Sequence, residues 1–335
     1  MDTKPNKRQD HDWKEDFRRF IGMILHFPSL LGIALIGIVG SVLMTNVLTF
    51  SSSMPSVVIY AAQDQVYAEP ILKDFEKQTG IKVRAVYDSE ATKTVAIANR
   101  LLAERDHPQC DVYWGNEELR TRQLVSRNIF RETNAWAAFG YRSRRVAVSA
   151  ANDNAAPASL IELTNPVYRG KVALAYPLFG TTATHFLALR QHWGESNWLA
   201  WCRALAANKP FLVDGNSVAA KFVAHGEASI GLTDSDDIAA EIREGAKLRP
   251  MPMSGETLLI PNTVAIIRNA PHPEAAQRLF DYLQTSAVTE RLVQAGALEG
   301  AWAADVWGPT LKPDWDGVLR DLDSATGTLQ RIFLR

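Results

Sequence analysis

The chain has 335 residues, of which 47% are hydrophobic, and this is enough to bury one large core or two of medium size. Its 36 basic and 37 acidic residues leave a formal net charge of −1, so no basic excess points to nucleic acid as a partner. Cys110 and Cys202 lack metal-ligand spacing, and their apolar neighbours favour inert buried thiols over a disulfide.

The N-terminal segment predicts export. Residues 20–63 contain no Lys, Arg, Asp or Glu, and 28–50 are almost wholly apolar, which is long enough for a membrane-spanning helix. Six basic residues precede this run, so the positive-inside rule predicts a cytoplasmic tail at 1–19, a transmembrane anchor or uncleaved signal at 20–50 and a linker at 51–56. A cleavable signal peptide is the alternative, because "FSSSM" offers a weak cleavage site.

Strands and helices alternate after this segment. We predict strands at 57–62, 81–87 and 110–115, and helices at 66–80, 89–106 and 116–128. Gly80 is expected to end the first helix, and Asp88 or Ser89 to cap the second. Alternation at this spacing predicts a parallel sheet with crossover helices.

The second half repeats the theme. We predict strands at 145–150, 171–177, 211–215, 228–233 and 258–269, and helices at 180–194, 197–208, 216–227, 237–245, 272–284 and 287–296. A loop is expected at 151–170, and the tail from Trp302 receives no element. Two α/β units of this kind suggest two lobes around a cleft.

Polar residues follow several of these strands. Ligands of open α/β sheets bind beyond the carboxyl ends of the strands, where helices present free N–H groups. This rule predicts the following ligand-binding residues: Gln63, Asp64, Ser89, Asn116, Glu117, Gly180, Thr181, Thr182, Asn216, Ser217, Thr233, Asp234, Asp236 and Asp237.

Five stretches in order carry a family resemblance. They are "VVIYAAQDQVYAEPILKDFEKQTGIKV", "CDVYWGNEELRTRQL", "YRGKVALAYPLFGTTATH", "VAHGEASIGLTDSDD" and "IPNTVAIIRNAPHPEAAQRLFDYL". Together they resemble periplasmic solute-binding proteins of ferric-iron-type ABC transporters. The resemblance implies a type II periplasmic-binding fold with hinge strands, in which 57–140 plus 260–300 form lobe 1 and 141–259 plus 301–335 form lobe 2.

The chain departs from the ferric-binding pattern in its site residues. Where such proteins often place a histidine after the first strand, Gln63 is followed by Asp64. The tyrosine pair whose phenolates bind iron is also missing, since no Tyr-Tyr occurs in the sequence. Residues 233–237 stand in its place, so the resemblance suggests carboxylates instead of phenolates.

Two interpretations stay open for the stretch "LTDSDD". It is the start of a helix capped by Thr233 or Ser235, or it offers Asp234 and Asp237 as ligands for a hard cation. Residues 180–182 predict either a cap or a cradle for an anion. The run of Arg142, Arg144 and Arg145 is interpreted as a solvated surface.

These observations predict the substrate-binding component of an ABC importer on the periplasmic side of the inner membrane. Its partners would be a permease and a small ligand, either a metal ion with an anion or an organic molecule with amino and acidic ends. No cofactor is required, although a metal ion is a candidate cargo. A sensing or partner-docking module is the alternative, and an exported enzyme is less favoured because no G-x-S-x-G, H-E-x-x-H or phosphate-loop motif occurs.

Overall fold

The computed structural model describes residues 55–87, 93–131, 136–151, 157–251, 253, 255–306 and 308–334. The predicted tail and anchor, most of the linker, and Ser89 lie outside these residues, so those predictions stay open. In the described part of the chain, no helix combines the length and the apolar composition that a membrane span requires.

The first α/β unit follows the predicted alternation. It contains β1 (Ser56–Ala61), α1 (Gln65–Thr79), β2 (Lys82–Val86), α2 (Lys93–Ala103), β3 (Val112–Gly115) and α3 (Glu118–Ser126). Helix α1 ends at Gly80 as predicted, because Gly80 takes the left-handed conformation that a glycine tolerates, with φ of 71°.

The remaining elements match the prediction except in three places. They are β4 (Trp136–Ser149), β5 (Val172–Ala175), α4 (Gly180–Trp193), α5 (Glu195–Ala207), β6 (Phe211–Val213), α6 (Asn216–Ala224), β7 (Ile230–Asp234), α7 (Ser235–Arg243), β8 (Leu248–Met251), β9 (Leu259–Ile266), α8 (Pro273–Leu283), α9 (Ser286–Gln294) and α10 (Trp315–Phe333). Strand β4 begins nine residues before the predicted start at 145, β8 was not predicted, and α10 occupies the unassigned tail.

The strands form one continuous path in the order β2-β1-β3-β9-β4-β7-β5-β6, with β8 beside β4. Pairing is parallel among β1, β2 and β3 and among β5, β6 and β7. It is antiparallel where β9 meets β3 and where β4 meets β7, β8 and β9. The sheet is therefore mixed: the predicted parallel pairing of the alternating strands is confirmed, and antiparallel pairs of β4 and β9 lie between the two parallel groups.

Strand β4 joins the two lobes. Its residues 136–143 pair with β9 in the sheet of the first lobe, and residues 144–149 pair with β7 and β8 in the sheet of the second. The two-lobed α/β fold is thus as predicted, whereas the residue bounds given above for each lobe stay a prediction.

Each sheet is buried on both faces, which crossover helices require. In β1, Val57, Ile59 and Ala61 face the core that contains α1 and α8, while Tyr60 faces the core that contains α2. The second lobe likewise has a larger core under α4, α5 and α10 and a smaller one under α6. This layering brings the carboxyl ends of the parallel strands, and the helix starts that follow them, to the cleft.

Candidate functional site

A cavity of about 320 Å³ lies in the cleft between the lobes. Nine of the predicted residues line it: Asp64, Asn116, Gly180, Thr181, Thr182, Asn216, Asp234, Asp236 and Asp237. They lie at the carboxyl ends of five different strands or at the helix starts that follow them, so the rule about strand ends selected residues that do converge. Their role in ligand binding stays a prediction.

Four predicted residues are absent from the cavity lining. The buried carboxylate of Glu117 caps α3 by accepting from the backbone N–H groups of Leu119 (2.6 Å) and Arg120 (2.9 Å). Thr233 donates to the backbone oxygen of Asn216 (2.7 Å), and the side chain of Gln63 is buried. Ser217, the fourth, follows Asn216 on α6 and is also absent from the lining.

Asp234 lies at the centre of a buried network. The Arg144 guanidinium donates to its Oδ1 at 2.7 Å, and the Thr181 hydroxyl lies 2.8 Å from its Oδ2. The same Arg144 nitrogen donates to Asn216 Oδ1 at 2.8 Å. Antiparallel pairing explains the contact, because Arg144 on β4 stands directly opposite Asp234 on β7.

Arg142 lies on the same face of β4 and lines the cavity. Its Nη2 is 3.3 Å from Asp234 Oδ2, and its Nε is 3.2 Å from Asp236 Oδ2. The arginine is only 3% exposed, and its Nη1 has no hydrogen-bond partner among the described residues. The prediction of a solvated arginine run is therefore wrong, because Arg144 and Arg145 are 0% and 1% exposed as well.

The buried charged groups shift one another's pKa values. Burial opposes ionisation of Asp234, but Arg144 and Arg142 outweigh it and hold the pKa of Asp234 below its usual value. The pKa of Asp236 is raised to about 7, mainly because the carboxyl group is buried. The Arg142 charge lowers this pKa, and the Asp234 and Asp64 charges raise it further. Burial by itself would lower the pKa of Arg142, yet its carboxylate neighbours raise it, so this guanidinium stays charged.

The start of α7 differs from the predicted cap. Asp234 occupies the N-cap position in an extended conformation, and its side chain makes no capping hydrogen bond. Thr233 and Ser235 do not cap the helix either: Thr233 bonds Asn216 and Asp237, and Ser235 Oγ accepts from the Ser143 N–H at 3.3 Å. Asp236 and Asp237 do lie in the first turn, where the helix dipole favours negative charge.

Residues 57–298 match the bacterial extracellular solute-binding protein family. The chain belongs to this family. An uncharacterized protein of Haemophilus influenzae is 23% identical over 257 residues, which cover 68% of this chain and 72% of that protein.

Solved structures share the fold of this solute-binding protein. Iron-bound HitA from Pseudomonas aeruginosa superposes with a TM-score of 0.70 at 19% identity, covering 83% of this chain and 98% of its own. AfuA from Actinobacillus pleuropneumoniae, with fructose-6-phosphate bound, gives 0.72 at 19% identity, covering 84% and 99%. At such identities the likeness establishes the two-lobed fold alone. The identity of the ligand has to be inferred from the residues of the cleft.

Sequence reasoning missed part of the cleft of this solute-binding protein. Tyr176 and Asp214 follow β5 and β6 and line the cavity, but the predicted strands at 171–177 and 211–215 extended over them, so the rule about strand ends did not select them. Thr94 also lines it and donates to Asn116 Oδ1 at 3.1 Å. Arg142 carried no such signal, because it lies inside a strand that the sequence pattern did not reveal.

Proposed function

We propose that this protein is the substrate-binding component of an ABC importer outside the cytoplasm and that it captures a small organic solute bearing an anionic group. The family and the two-lobed fold support a binding role, and hinge closure over a ligand is the motion expected of such folds. A cavity of about 320 Å³ suits a small molecule.

One side of the cleft is suited to the anionic group. Helices α4 and α6 begin at Gly180 and Asn216, so their first-turn N–H groups and positive dipole ends lie at the cavity. The Arg142 guanidinium adds a full positive charge on the same cavity wall. Backbone donors and a buried arginine together are the usual partners of a carboxylate or phosphate.

The carboxylates are suited to the rest of the solute. Asp64, Asp214 and Asp237 also line the cavity. Carboxylate oxygens accept hydrogen bonds, so they match the donors that hydroxyl or ammonium groups supply. A bare inorganic anion offers at most one or two such donors and would meet several negative charges, which disfavours it.

The observation that carries the proposal is the position of Arg142. A metal ion bound by Asp234 and its neighbours would share their carboxylates with a buried, charged guanidinium, and this repulsion disfavours a metal cargo. Metal with a companion anion remains the second candidate, because one oxygen from each of Asp234, Asp236 and Asp237 lies within 4.8 Å of the others. A Trichodesmium protein of similar fold has been solved in complex with iron and citrate ligands, which supports this second candidate.

A thermal-shift screen of the full chain tests the ligand class. We expect phosphate monoesters or carboxylates that carry hydroxyl or amino groups to raise the melting temperature, since a ligand of the native state stabilises it by mass action. Inorganic phosphate is the matched control and should have a small effect. A shift with ferric iron, and none with any organic anion, would contradict the proposal and favour the metal candidate.

The importer role has its own test. We expect the loaded protein to stimulate ATP hydrolysis by the permease complex of its importer, whereas a sensing module would leave that rate unchanged. Chemical turnover of a bound solute would instead support an enzyme.

A further inference from the structure

Three carboxylates in the cleft have the arrangement of a hard-cation site. Asp234 ends β7, and Asp236 and Asp237 lie in the first turn of α7, so chain geometry alone brings them together. One oxygen from each lies within 4.8 Å of the others. Oxygen ligands at this density are what Ca²⁺ and trivalent hard cations prefer.

The Arg142 guanidinium lies against this cluster. It contacts two of the three carboxylates, Asp234 at 3.3 Å and Asp236 at 3.2 Å. Both partners are buried, and neither Arg142 Nη1 nor Asp236 Oδ1 has another hydrogen-bond partner in the portion of the chain that the structure describes. The Arg142 guanidinium therefore occupies the position in which a metal ion would bind the same carboxylate oxygens. Its Nη1 donor remains for an anion.

Arg144 and Thr181 fix the position of Asp234 within the cluster. Arg144 is fully buried and binds Asp234 Oδ1 and the backbone oxygen of Leu232, while the Thr181 hydroxyl reaches Asp234 Oδ2. Asp234 is therefore held in place from β4 and from α4. Among the residues that the structure describes, Arg142 is the one basic residue within salt-bridge distance of Asp236.

We propose that Arg142 determines the ligand class of this cleft: its guanidinium takes the cation position of a three-carboxylate site, which excludes metal ions and leaves one donor for the anionic group of the solute. The second half of this inference rests on the proposed function. The first half, exclusion of cations, does not. Removing Arg142 should uncover a cation site formed by Asp234, Asp236 and Asp237.

Terbium luminescence of the full chain tests the exclusion directly. Tyr176 lines the same cavity and can sensitise Tb³⁺ emission when it is excited. We expect Arg142→Gln to bind Tb³⁺ saturably with a dissociation constant at least about 100-fold lower than that of the wild type, because a repelling unit charge is removed at close range. Adding D236N to this variant should abolish most of the gain.

Arg145→Gln is the matched control. Arg145 is equally buried on the same strand but pairs with Glu299 at 3.2 Å, away from the cavity, so its loss should not produce Tb³⁺ binding. Wild-type protein that binds Tb³⁺ as tightly as Arg142→Gln would overturn the proposal. So would an Arg142→Gln protein that folds and gains no binding.

A rescue experiment covers the case in which Arg142→Gln does not fold. The Arg142→Ala variant is purified with guanidinium chloride at low millimolar concentration, and a guanidinium ion should then occupy the position of the missing side chain. Dialysis should remove the guanidinium and open the site to Tb³⁺. Guanidinium added back should displace the ion, and failure to compete would overturn the proposal. None of these readouts uses an organic solute, so they stay valid if the thermal-shift screen fails.

Discussion

The burial of three arginines differs from what their sequence pattern predicts. They are Arg142, Arg144 and Arg145. Three arginines in four positions are typical of a solvated surface, yet all three are buried. Alternation along β4 sends Arg142 and Arg144 to one face and Arg145 to the other. The partner of Arg144 is 90 residues away in sequence, so no local pattern could indicate it.

Removing the charge of Asp234 should destabilise the protein. Asp234→Asn keeps the shape of the side chain but leaves two buried guanidinium groups without their shared carboxylate, so we expect a loss of about 3 kcal/mol in the free energy of unfolding. Urea denaturation measures it. Asp237→Asn is the control, because Asp237 is less buried, and it should cost under about 1 kcal/mol. Equal costs for the two variants would contradict a structural role for Asp234.

His185 should make stability fall in acid. Burial, with the nearby Arg144 charge, lowers the pKa of His185 from 6.5 to about 3, and one ring nitrogen contacts the backbone oxygen of Glu256 at 2.7 Å. The native state therefore resists protonation: its stability is fully present above pH 6.5 and is lost as pH falls towards 3. At about pH 5 we expect this group to cost about 2 kcal/mol relative to neutral pH.

The control is a second histidine variant. Urea midpoints at both pH values should show that His185→Gln abolishes this loss, whereas His225→Gln, which changes an exposed side chain, does not. If both variants keep the full acid sensitivity, another group is responsible for it.

At the level of elements, sequence reasoning succeeded where periodicity was regular. Helices α1, α4 and α8 lie within a few residues of their predicted bounds, because apolar spacing and glycines marked them. It failed for the first nine residues of β4, where the register shifts between Ala138 and Tyr141 around Gly140, a glycine with φ of 95°. This irregularity interrupts the alternation by which a strand is recognised. The cleft was predictable from the order of elements, but its buried ion pairs were not.

The cap of α3 should contribute to stability. Glu117→Ala removes the acceptor of two backbone N–H groups and of the Thr184 hydroxyl at 3.0 Å, so we expect a cost of about 2 kcal/mol by thermal or urea unfolding. Thr184→Val keeps the shape and removes only the last of these bonds, so it should cost about 1 kcal/mol or less. A Glu117 variant no less stable than Thr184→Val would show that the cap adds nothing.

On the scale of the whole molecule, α7 connects the ligand site to a contact between the lobes. The helix begins at the cleft carboxylates and ends at Arg243, whose Nη2 donates to the Tyr67 hydroxyl of α1 at 2.9 Å. Gly296 leaves room for this arginine, because a Cβ there would lie 2.1 Å from Arg243 Nη1. The contact therefore joins the second lobe to the first.

Loss of this contact should favour an open arrangement of the lobes. We expect Arg243→Ala without ligand to have a larger radius of gyration by small-angle X-ray scattering than the wild type, and a solute affinity weakened about threefold, since one part-buried hydrogen bond contributes about 1 kcal/mol or less. Arg268→Ala is the control, because Arg268 bonds the Asn128 backbone oxygen within the first lobe. An unchanged radius in Arg243→Ala would show that the contact does not hold the lobes together.

Native mass spectrometry of the full chain tests the central claim most directly. The protein is incubated with an equimolar mixture of ferric iron, phosphate monoesters and hydroxy- or amino-substituted carboxylic acids, and the mass added to the folded protein identifies what the cleft selects. The position of Arg142 predicts one organic anion and no metal. A mass increment of iron, with or without a companion anion, would contradict the account.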